Sequence, residues 1–535
     1  MVPRTAARPS PMPKNYFIGI GGTGSRLAES LVHLCAAGLG PDALTLFLID
    51  PDQGNGNLAR TTSLMEAYVK ARGSFQRRAG DDVVAFQTNV TLPDPAVWHV
   101  FERRGVRLAD HVGLPTIKQS NKALADFAQV LFSDDEMETA LDEGFRGHPN
   151  IGATVISDIP ADADPWRTFW NDVEQAQGPG EVQVFVAGSI FGGTGAAGIP
   201  TLGAPDVLKF AQRASLGTGS KIRLGAGLVL PYFTFTPGTV PAGQSQMFVT
   251  AADFPIATKA ALAYYAEKDL AYDDVYLLGD SLGQNVGAFS PGNQNQRNRP
   301  HYIELTGALA ALDFYESRPH GGPTKYFHAA RPNPLLEWTD LPATRDANAV
   351  PAKLALVKQR LAAFAAFAYA TLGYGMPTLE KSVDEVTDAW HADHFAPRNI
   401  IGRRNKDKDP RQPADRQRIE AVAAYLHRFV EWAATLDPGP DGNVRLFNGQ
   451  QLLTPNGEIP NPEAVGHEHG IGTLLRSRTQ NQDFTAFKNV LLATNVVDQP
   501  DASVSNSDVF VNLFYRAARD FANANYALQT TEEAA

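Results

Sequence analysis

The first fifty residues alternate between short apolar runs and a helical spacing of apolar side chains. Residues 16–20 and 43–50 are runs of the kind that form buried strands, and Leu27, Leu31 and Leu34 recur between them at the spacing of a helix face. Two strands joined by a helix form a βαβ unit, whose strands are parallel and whose crossover is right-handed. The chain is therefore predicted to begin as an α/β fold.

The same alternation returns later and then gives way to helices. Residues 55–143 mix short helical patterns with charged loops, and we interpret them as an insertion. From residue 181 strands and helices alternate again, whereas beyond about residue 340 the apolar residues keep only helical spacing. The predicted organisation is a Pro-rich flexible tail at 1–14, a Rossmann-like parallel-sheet domain at 15–335 that contains the insertion, and a mainly helical C-terminal domain at 336–535.

The composition excludes several classes of protein. The 535 residues are 43% hydrophobic and 20% charged, which is typical of a soluble globular chain. Lys and Arg number 47 against 58 Asp and Glu, and this net charge of −11 argues against a general nucleic-acid-binding surface. The single cysteine, Cys35, excludes a disulfide framework. We recognise no secretory signal and no membrane span, and we therefore expect a cytoplasmic protein.

Two glycine-rich turns each follow a predicted buried strand and open a predicted helix. In the first, Gly19, Gly21 and Gly24 match the GxGxxG spacing, which is a weak indication alone because such turns also serve close helix–strand packing. The second covers 192–198 and includes Thr194 as a hydroxyl donor. Two helix N-termini at one sheet suit a triphosphate. No GxxxxGK[ST] motif occurs, so backbone amides would bind most of the phosphate oxygens.

The order of these loops resembles the tubulin/FtsZ superfamily, and within it the divergent bacterial tubulin-like proteins. The signature GGTG stands at 192–195, and the segments similar to the family's other loops and strands follow its order. These segments are GIGGTGSRLAESL (19–31), LIDPDQGN (48–55), GFRGHPNIG (144–152), GLVLPYFTFTPG (227–238) and DDVYLLGD (273–280). Phe191, Ala196 and Ala197 depart from the bacterial signature GGGTGTG. The helical C-terminal part departs from the family's second domain.

The resemblance implies a GTP-binding protein that uses GTP or GDP with Mg²⁺ and assembles head to tail into filaments. It also implies how each loop meets the nucleotide. The implied contacts are α- and β-phosphates at Gly21, Gly22, Thr23, Gly24 and Ser25; β- and γ-phosphates at Gly192, Gly193, Thr194 and Gly195; the γ-phosphate near Arg146, Gly147 and His148; ribose or a magnesium-bound water at Asp50 or Asp52; and the base at Tyr302 and Asn298.

Hydrolysis in this family uses an acidic residue that the next subunit supplies after the central helix, where it orients the attacking water. The segment LDFYES (312–317) is similar to that loop, which makes Asp313 and Glu316 catalytic candidates, with Glu304 further back. Asp313 also fits a solvated helix face, and both interpretations stay open. The expected partners are further copies of this chain and operon-encoded proteins of a stress or defence system.

Two other functions fit parts of the sequence. GIGGTGS followed by Asn57, Leu58 and Arg60 resembles the nucleotide fingerprint of ThiF/E1-like ATP-dependent adenylating enzymes, although the turn at 192–198 has no role there. A nucleotide-binding scaffold that neither hydrolyses nor polymerises is the other alternative. The paired histidines at 391, 394, 467 and 469 lack the clustered ligands of a metal site, so no metal-binding residues are predicted.

Overall fold

The structure is a computed structural model of the chain. It describes residues 13–74, 83–101, 105–141, 145, 148–160, 162–205, 207–208, 221–236, 251–280, 284–288, 298–331, 333–382, 385–395, 408–437, 443–463, 471–476, 483–496 and 504–525. All structural statements below concern these residues.

Eight strands form one parallel sheet, and two further strands pair beside it. The strands are β1 (Lys14–Ile20), β2 (Ala43–Ile49), β3 (Asn89–Thr91), β4 (Val97–Trp98), β5 (Val182–Ser189), β6 (Ile222–Val229), β7 (Phe233–Thr236), β8 (Asp274–Gly279), β9 (Gln284–Ala288) and β10 (Lys325–Ala330). The order across the sheet is β10-β8-β6-β5-β1-β2-β3, with β4 also paired to β2, while β7 pairs with β9.

The chain moves to opposite sides of β1 in its two halves. From β1 it passes to β2 on one side, and β5 later pairs with β1 on the other, in a register that places Gly19 opposite Ala187. This reversal is a topological switch point, where the loops after neighbouring strands diverge and leave a crevice at the carboxyl ends. The predicted parallel α/β fold is therefore confirmed.

Helices cover both faces of the sheet. In the first half they are α1 (Gly21–Ala36), α2 (Gly56–Gly73), α3 (Leu108–His111), α4 (Leu114–Ser120), α5 (Lys122–Leu131), α6 (Asp134–Met137), α7 (Pro149–Ile156), α8 (Trp166–Gln175), α9 (Gly193–Gly203), α10 (Phe254–Glu267) and α11 (Tyr302–Glu316). Alternate residues of β1 enter two cores: Phe17 packs on the α1 and α11 side, whereas Tyr16 and Ile18 pack on the α7, α8 and α9 side.

The C-terminal region is helical, as predicted. Its helices are α12 (Val350–Ala370), α13 (Met376–Glu380), α14 (Ala389–Phe395), α15 (Pro413–Thr435), α16 (Gly449–Leu452), α17 (Phe484–Ala493) and α18 (Asn506–Asn525), with a π-helical turn at Thr371–Gly375. Its core is continuous with the core around α1, because α15 packs on α1 and α2. The boundary predicted at residue 335 therefore separates two kinds of secondary structure that share one core.

The contact between α1 and α15 is largely aromatic. His33 of α1 is fully buried between Trp432, whose ring centroid is 4.7 Å away, and Tyr425, whose hydroxyl is 3.0 Å from Nδ1. Burial lowers the pKa of His33 to about 3, so its imidazole is neutral at physiological pH. This neutral ring joins the sheet layer to the helical region.

Several boundaries differ from the predictions. The apolar run 221–235 is divided between two sheets, since β6 ends at Val229 and β7 belongs to the smaller sheet. The helix predicted to follow the second glycine turn, α9, begins within that turn and ends at Gly203. The segment 55–143 supplies α2, β3 and β4 to the sheet layer, so only its later part resembles an insertion.

Candidate functional site

The first glycine turn connects β1 to α1 and leaves the first turn of that helix without a side-chain cap. Gly21 has a φ of +67°, a left-handed conformation that favours glycine. Ile20 occupies the N-cap position, and no side-chain cap hydrogen bond is present there. The first N–H groups of an α-helix have no partner within the helix, and the helix dipole adds partial positive charge. This end of α1 is therefore suited to an anion.

The second glycine turn connects β5 to α9 in the same way. Gly192 is the N-cap residue, and it too makes no side-chain cap hydrogen bond. A Cβ on Gly195 would overlap the carbonyl oxygen of Ser189, so only glycine lets α9 lie this close to β5. Because β1 and β5 are neighbouring parallel strands, both uncapped helix ends lie at the same edge of the sheet.

The two turns are in contact. A Cβ built on Gly21 would lie 3.3 Å from Cβ of Thr194, and one on Gly188 would lie 2.9 Å from the carbonyl oxygen of Ile20. Two helix N-termini thus converge at the switch point between β1 and β5, in the position where parallel α/β sheets bind ligands. We call this region, formed by Gly21, Gly22, Thr23 and Gly192–Thr194, the cradle.

Two neighbouring glycines of the first turn have different roles. A Cβ on Gly24 would lie 2.5 Å from the carbonyl oxygen of Ala187 and 2.7 Å from the carbonyl carbon of Gly19, so Gly24 holds α1 against the sheet. Among the described residues, a Cβ on Gly22 would contact the side-chain amides of Asn55 and Asn57, at 3.4 and 3.7 Å, and no backbone atom of the sheet. Gly22 is therefore one of the residues that line the cradle, whereas Gly24 packs against the sheet.

Ser25 and Thr23 complete this first turn. Ser25 is buried and donates its hydroxyl to the carbonyl oxygen of Gly21 at 3.0 Å, so its side chain stabilises the turn. Thr23 accepts a weak hydrogen bond of 3.4 Å from Arg26. Phe191, which stands where the resembled signature has glycine, packs its ring on Phe254 with centroids 4.6 Å apart.

A third wall of the cradle follows β2. Asp50 accepts hydrogen bonds from the backbone N–H of Asp52 at 3.0 Å and from Nδ2 of Asn55 at 3.2 Å. Burial raises the pKa of the Asp50 carboxyl to about 7, although these two donors oppose the shift. Asp52 accepts from the N–H of Gly54 at 2.8 Å, which shapes the loop. Both predicted acidic residues thus lie in the loop that reaches Gly22 through Asn55.

Asn55 was not among the predicted site residues, and Asn57 was named only in the nucleotide fingerprint of the adenylating-enzyme alternative. Asn55 caps α2, since its Oδ1 accepts from the backbone N–H of Asn57 at 2.9 Å. Oδ1 of Asn57 in turn accepts from the N–H of Asn298 at 2.9 Å, which brings the segment before α11 to the edge of the cradle. An Asn directly before a helical pattern is a recognisable N-cap signal, but the bond to Asn298 joins positions 241 residues apart.

The other predicted base contact, Tyr302, is the first residue of α11. Its ring is buried, and the guanidinium carbon of Arg331 lies 4.7 Å from the ring centroid. Arg331 is held by a bidentate ion pair with Asp280, at 2.9 and 3.0 Å. Stacking of a base on Tyr302 stays a prediction, whereas the backbone of Asn298 lies beside Asn57.

The loop predicted near the γ-phosphate is only partly described. Arg146 and Gly147 lie outside the described residues. His148 precedes α7, and its Nδ1 lies 3.2 Å from the Glu136 carboxylate. A Cβ on Gly152 of α7 would lie 2.5 Å from Cβ of Ala197, so α7 packs directly on α9. His148 is thus at the start of a helix that contacts the second glycine-turn helix.

The three carboxylates predicted as catalytic all belong to α11 but differ in burial and in their partners. Glu304 is buried, 2.5 Å from Nε of Arg26, and accepts a hydrogen bond from Tyr232 at 3.0 Å. Both partners belong to this chain, so Glu304 has a structural ion pair in the core. The prediction that it orients water at a subunit contact gains no support from this position.

Asp313 is likewise held within the chain. It accepts hydrogen bonds from Tyr276 and from Nε of Arg345, both at 2.7 Å. Burial opposes its ionisation, but these bonds outweigh burial and lower its pKa. The solvated helix face considered for Asp313 is therefore wrong, because the side chain is buried. Glu316 is exposed and pairs with Lys353, and it is the one of the three that a neighbouring molecule can reach.

Comparison with known proteins finds a likeness among solved structures. No protein-family model matches the chain, and no curated protein matches it. Among solved structures it is similar to a tubulin/FtsZ-family protein, CetZ2 from Haloferax volcanii, in a GTPγS-bound protofilament. The TM-score is 0.26 at 14% sequence identity, and the match covers 56% of this chain and 58% of that chain.

The described residues contain neither a cluster of metal ligands nor a helix that could span a membrane. No group of three or more His, Cys, Asp and Glu side chains that could hold a metal ion occurs among them. The histidines at 467 and 469 lie outside the described residues. Within the same part of the chain, none of the helices has the length and apolarity needed to cross a bilayer.

Proposed function

We propose that this chain binds GTP at the carboxyl ends of β1, β2 and β5, with the phosphates between the first turns of α1 and α9. The observation that carries the proposal is that a Cβ built on Gly21 would lie 3.3 Å from Cβ of Thr194, because this places two uncapped helix N-termini side by side. Each such end carries roughly half a positive charge, and two facing one ligand favour a polyanion.

The donors of the cradle fit a phosphate chain. The backbone N–H groups of Gly22 and Thr23 would hold one phosphate, and those of Gly193 and Thr194, with the Thr194 hydroxyl, the next. Mg²⁺ characteristically uses one or two carboxylates together with phosphate oxygens, and Asp50 and Asp52 are the carboxylates of this edge. The metal would supply charge neutralisation of the phosphates. The preference for guanine rests on the tubulin/FtsZ-like order of the loops.

The adenylating-enzyme alternative fits the geometry less well. Its fingerprint residue Arg60 donates to Glu29 at 2.7 Å and to the carbonyl oxygen of Asn298 at 2.8 Å, so its guanidinium is occupied by protein acceptors. The second glycine turn lies against the first. An adenylating enzyme has no role for that second turn, whereas a triphosphate-binding site uses both.

We further propose that copies of the chain associate head to tail and that GTP hydrolysis takes place at the contact, with Glu316 as the catalytic candidate we retain. A heterologous contact between identical chains builds an open filament. An exposed apolar face on α5 supports association: Leu124, Phe127 and Leu131 recur at helical spacing, and Phe127 is 56% exposed.

Nucleotide binding is tested by titration calorimetry of the purified full chain, stripped of bound nucleotide, with GTP, GDP and ATP. The proposal expects GTP and GDP to bind at a stoichiometry of one, and ATP to bind more weakly. Absence of binding by GTP and GDP would reject it. Preference for ATP, together with ATP–pyrophosphate exchange, would select the adenylating enzyme.

Association and hydrolysis are tested together by measuring GTP turnover per molecule against protein concentration, alongside sedimentation. Turnover that rises with concentration and is lost in Glu316→Gln indicates a shared active site. Phe127→Ser should weaken GTP-dependent sedimentation if the α5 face contributes to the contact. Tight GTP binding without turnover or sedimentation at any concentration would select the non-hydrolysing scaffold.

A further inference from the structure

The carboxamide of Asn57 is completely buried and only half satisfied. Its Oδ1 accepts a hydrogen bond of 2.9 Å from the N–H of Asn298. Its Nδ2 has no hydrogen-bond partner in the part of the chain that the structure describes. An unpaired buried donor is unfavourable, and native proteins seldom keep one without a reason.

The orientation of this amide follows from its one bond. The N–H of Asn298 is a donor and needs an acceptor, so the oxygen of the Asn57 amide has to face it. The Nδ2 group is thereby directed toward the first glycine turn, where it lies 3.7 Å from the position of a Cβ on Gly22. Nδ2 of Asn55 approaches the same point at 3.4 Å but already donates to Asp50.

The surroundings indicate what acceptor this donor meets. The side chain of Asn55 already caps the backbone N–H groups of Asn57 and Leu58 at the start of α2. The donor that α2 still offers beside Gly22 is therefore Nδ2 of Asn57. The adjacent first turn of α1 contributes uncapped N–H groups and partial positive charge. Donors from two helices therefore converge on one point, which favours an anionic oxygen over a neutral one.

We propose that Nδ2 of Asn57 donates a hydrogen bond to a phosphate oxygen of the nucleotide over Gly22. The inference rests on the proposed function, and it adds a binding residue outside the two glycine turns. Since the other end of the same amide holds Asn298, Asn57 also connects the phosphate to the segment that leads into α11. A single side chain thus positions that segment relative to the phosphate.

The test compares Asn57→Asp with wild-type protein by titration calorimetry with GDP and with guanosine. The aspartate keeps an oxygen for Asn298, replaces the donor by an acceptor and adds negative charge beside the phosphate. Affinity for GDP should fall by at least about tenfold. Affinity for guanosine should change by less than about threefold, because guanosine has no phosphate. Thr62→Ala, on the same helix and bonded only to the Leu58 carbonyl oxygen, is the matched control.

The possible outcomes distinguish a failure of this inference from a failure of the proposed function. Wild-type binding of GDP with equal binding by Asn57→Asp would overturn this inference alone, and equal losses for GDP and guanosine would overturn the assignment to phosphate. Wild-type protein that binds neither compound would overturn the proposed function and this inference with it. If circular dichroism shows Asn57→Asp to be unfolded, Asn57→Ser replaces it. Its shorter side chain should cost GDP about tenfold in affinity, and unchanged affinity would contradict the inference.

Discussion

The cradle and the charged groups around α11 use polar residues in opposite ways. At the cradle, hydrogen-bond donors lie close together without acceptors from the described part of the chain. Neither helix end has a side-chain cap, and Nδ2 of Asn57 is unpaired. Around α11, by contrast, Glu304 and Asp313 each have basic and hydroxyl partners within the core.

This difference separates a site that a ligand completes from one that the chain completes itself. Removing one partner of a buried ion pair leaves the other charge buried and unpaired, which lowers the free energy of unfolding. Buried donors that lack partners cost free energy until a ligand supplies acceptors. Substitutions at the cradle should therefore change affinity, and substitutions around α11 should change the free energy of unfolding.

The largest effect is expected from breaking the Arg26–Glu304 pair. Glu304→Leu leaves the Arg26 guanidinium buried without its carboxylate, and the free energy of unfolding should fall by about 3–5 kcal/mol. Urea denaturation of the nucleotide-free protein measures this change. The double variant Arg26→Met/Glu304→Leu should recover most of the loss, and a single-variant loss below about 1 kcal/mol would contradict a structural role for the pair.

Two glycines of the same turn provide a matched pair. Gly24→Ala should lower the free energy of unfolding by about 1–3 kcal/mol, because its Cβ would meet backbone atoms of Ala187 and Gly19 at 2.5 and 2.7 Å. Gly22→Ala should leave stability within about 0.5 kcal/mol yet weaken GDP at least about tenfold, since its Cβ would face the cradle. Denaturation and calorimetry on both variants test this, and identical profiles would refute the distinction.

The junction of α1 with α15 should make stability depend on pH. His33 has a folded-state pKa of about 3, below its ordinary value, so stability that is present above pH 6.5 is lost as the pH falls toward 3. The expected contribution is about 1.4 kcal/mol for each pH unit in that window. Unfolding free energies of the wild type and of His33→Phe, measured between pH 6 and 4, should differ in slope by nearly this amount. Parallel slopes would mean that His33 titrates normally.

The smallest effect concerns Thr194. Thr194→Val keeps the shape of the side chain and removes the hydroxyl, which should cost about 1 kcal/mol, or roughly fivefold in affinity for GTP, without altering stability. Competition against a fluorescent GTP analogue measures the change. A loss as large as that of Gly22→Ala would show that Thr194 matters for more than one hydrogen bond.

The elements that depend on local sequence pattern could be predicted from the sequence. The apolar runs and glycine spacing predicted β1, α1 and the second glycine turn, and helical spacing predicted a mainly helical C-terminal region, which contains α12, α15 and α18. The contact of Gly21 with Thr194 could be expected only in outline, because it depends on β1 and β5 becoming neighbours in the sheet.

Features that depend on distant residues escaped prediction. Gly22 and Gly24 look equivalent in sequence, and only the positions of Ala187 and Asn55 distinguish them. The partners of Asp313 come from β8 and from the segment before α12, so nothing in LDFYES revealed that it is buried. The run 221–235 is divided between β6, which ends at Val229, and β7, which begins at Phe233; Pro231 between them has no N–H to offer a sheet.

The most direct test of the account is an experimental structure of the chain with a non-hydrolysable GTP analogue. In that structure, phosphate oxygens should lie about 3 Å from the backbone nitrogens of both Gly22 and Gly193. An analogue bound elsewhere, or phosphates that touch only one of the two turns, would contradict the claim that the turns hold one ligand together.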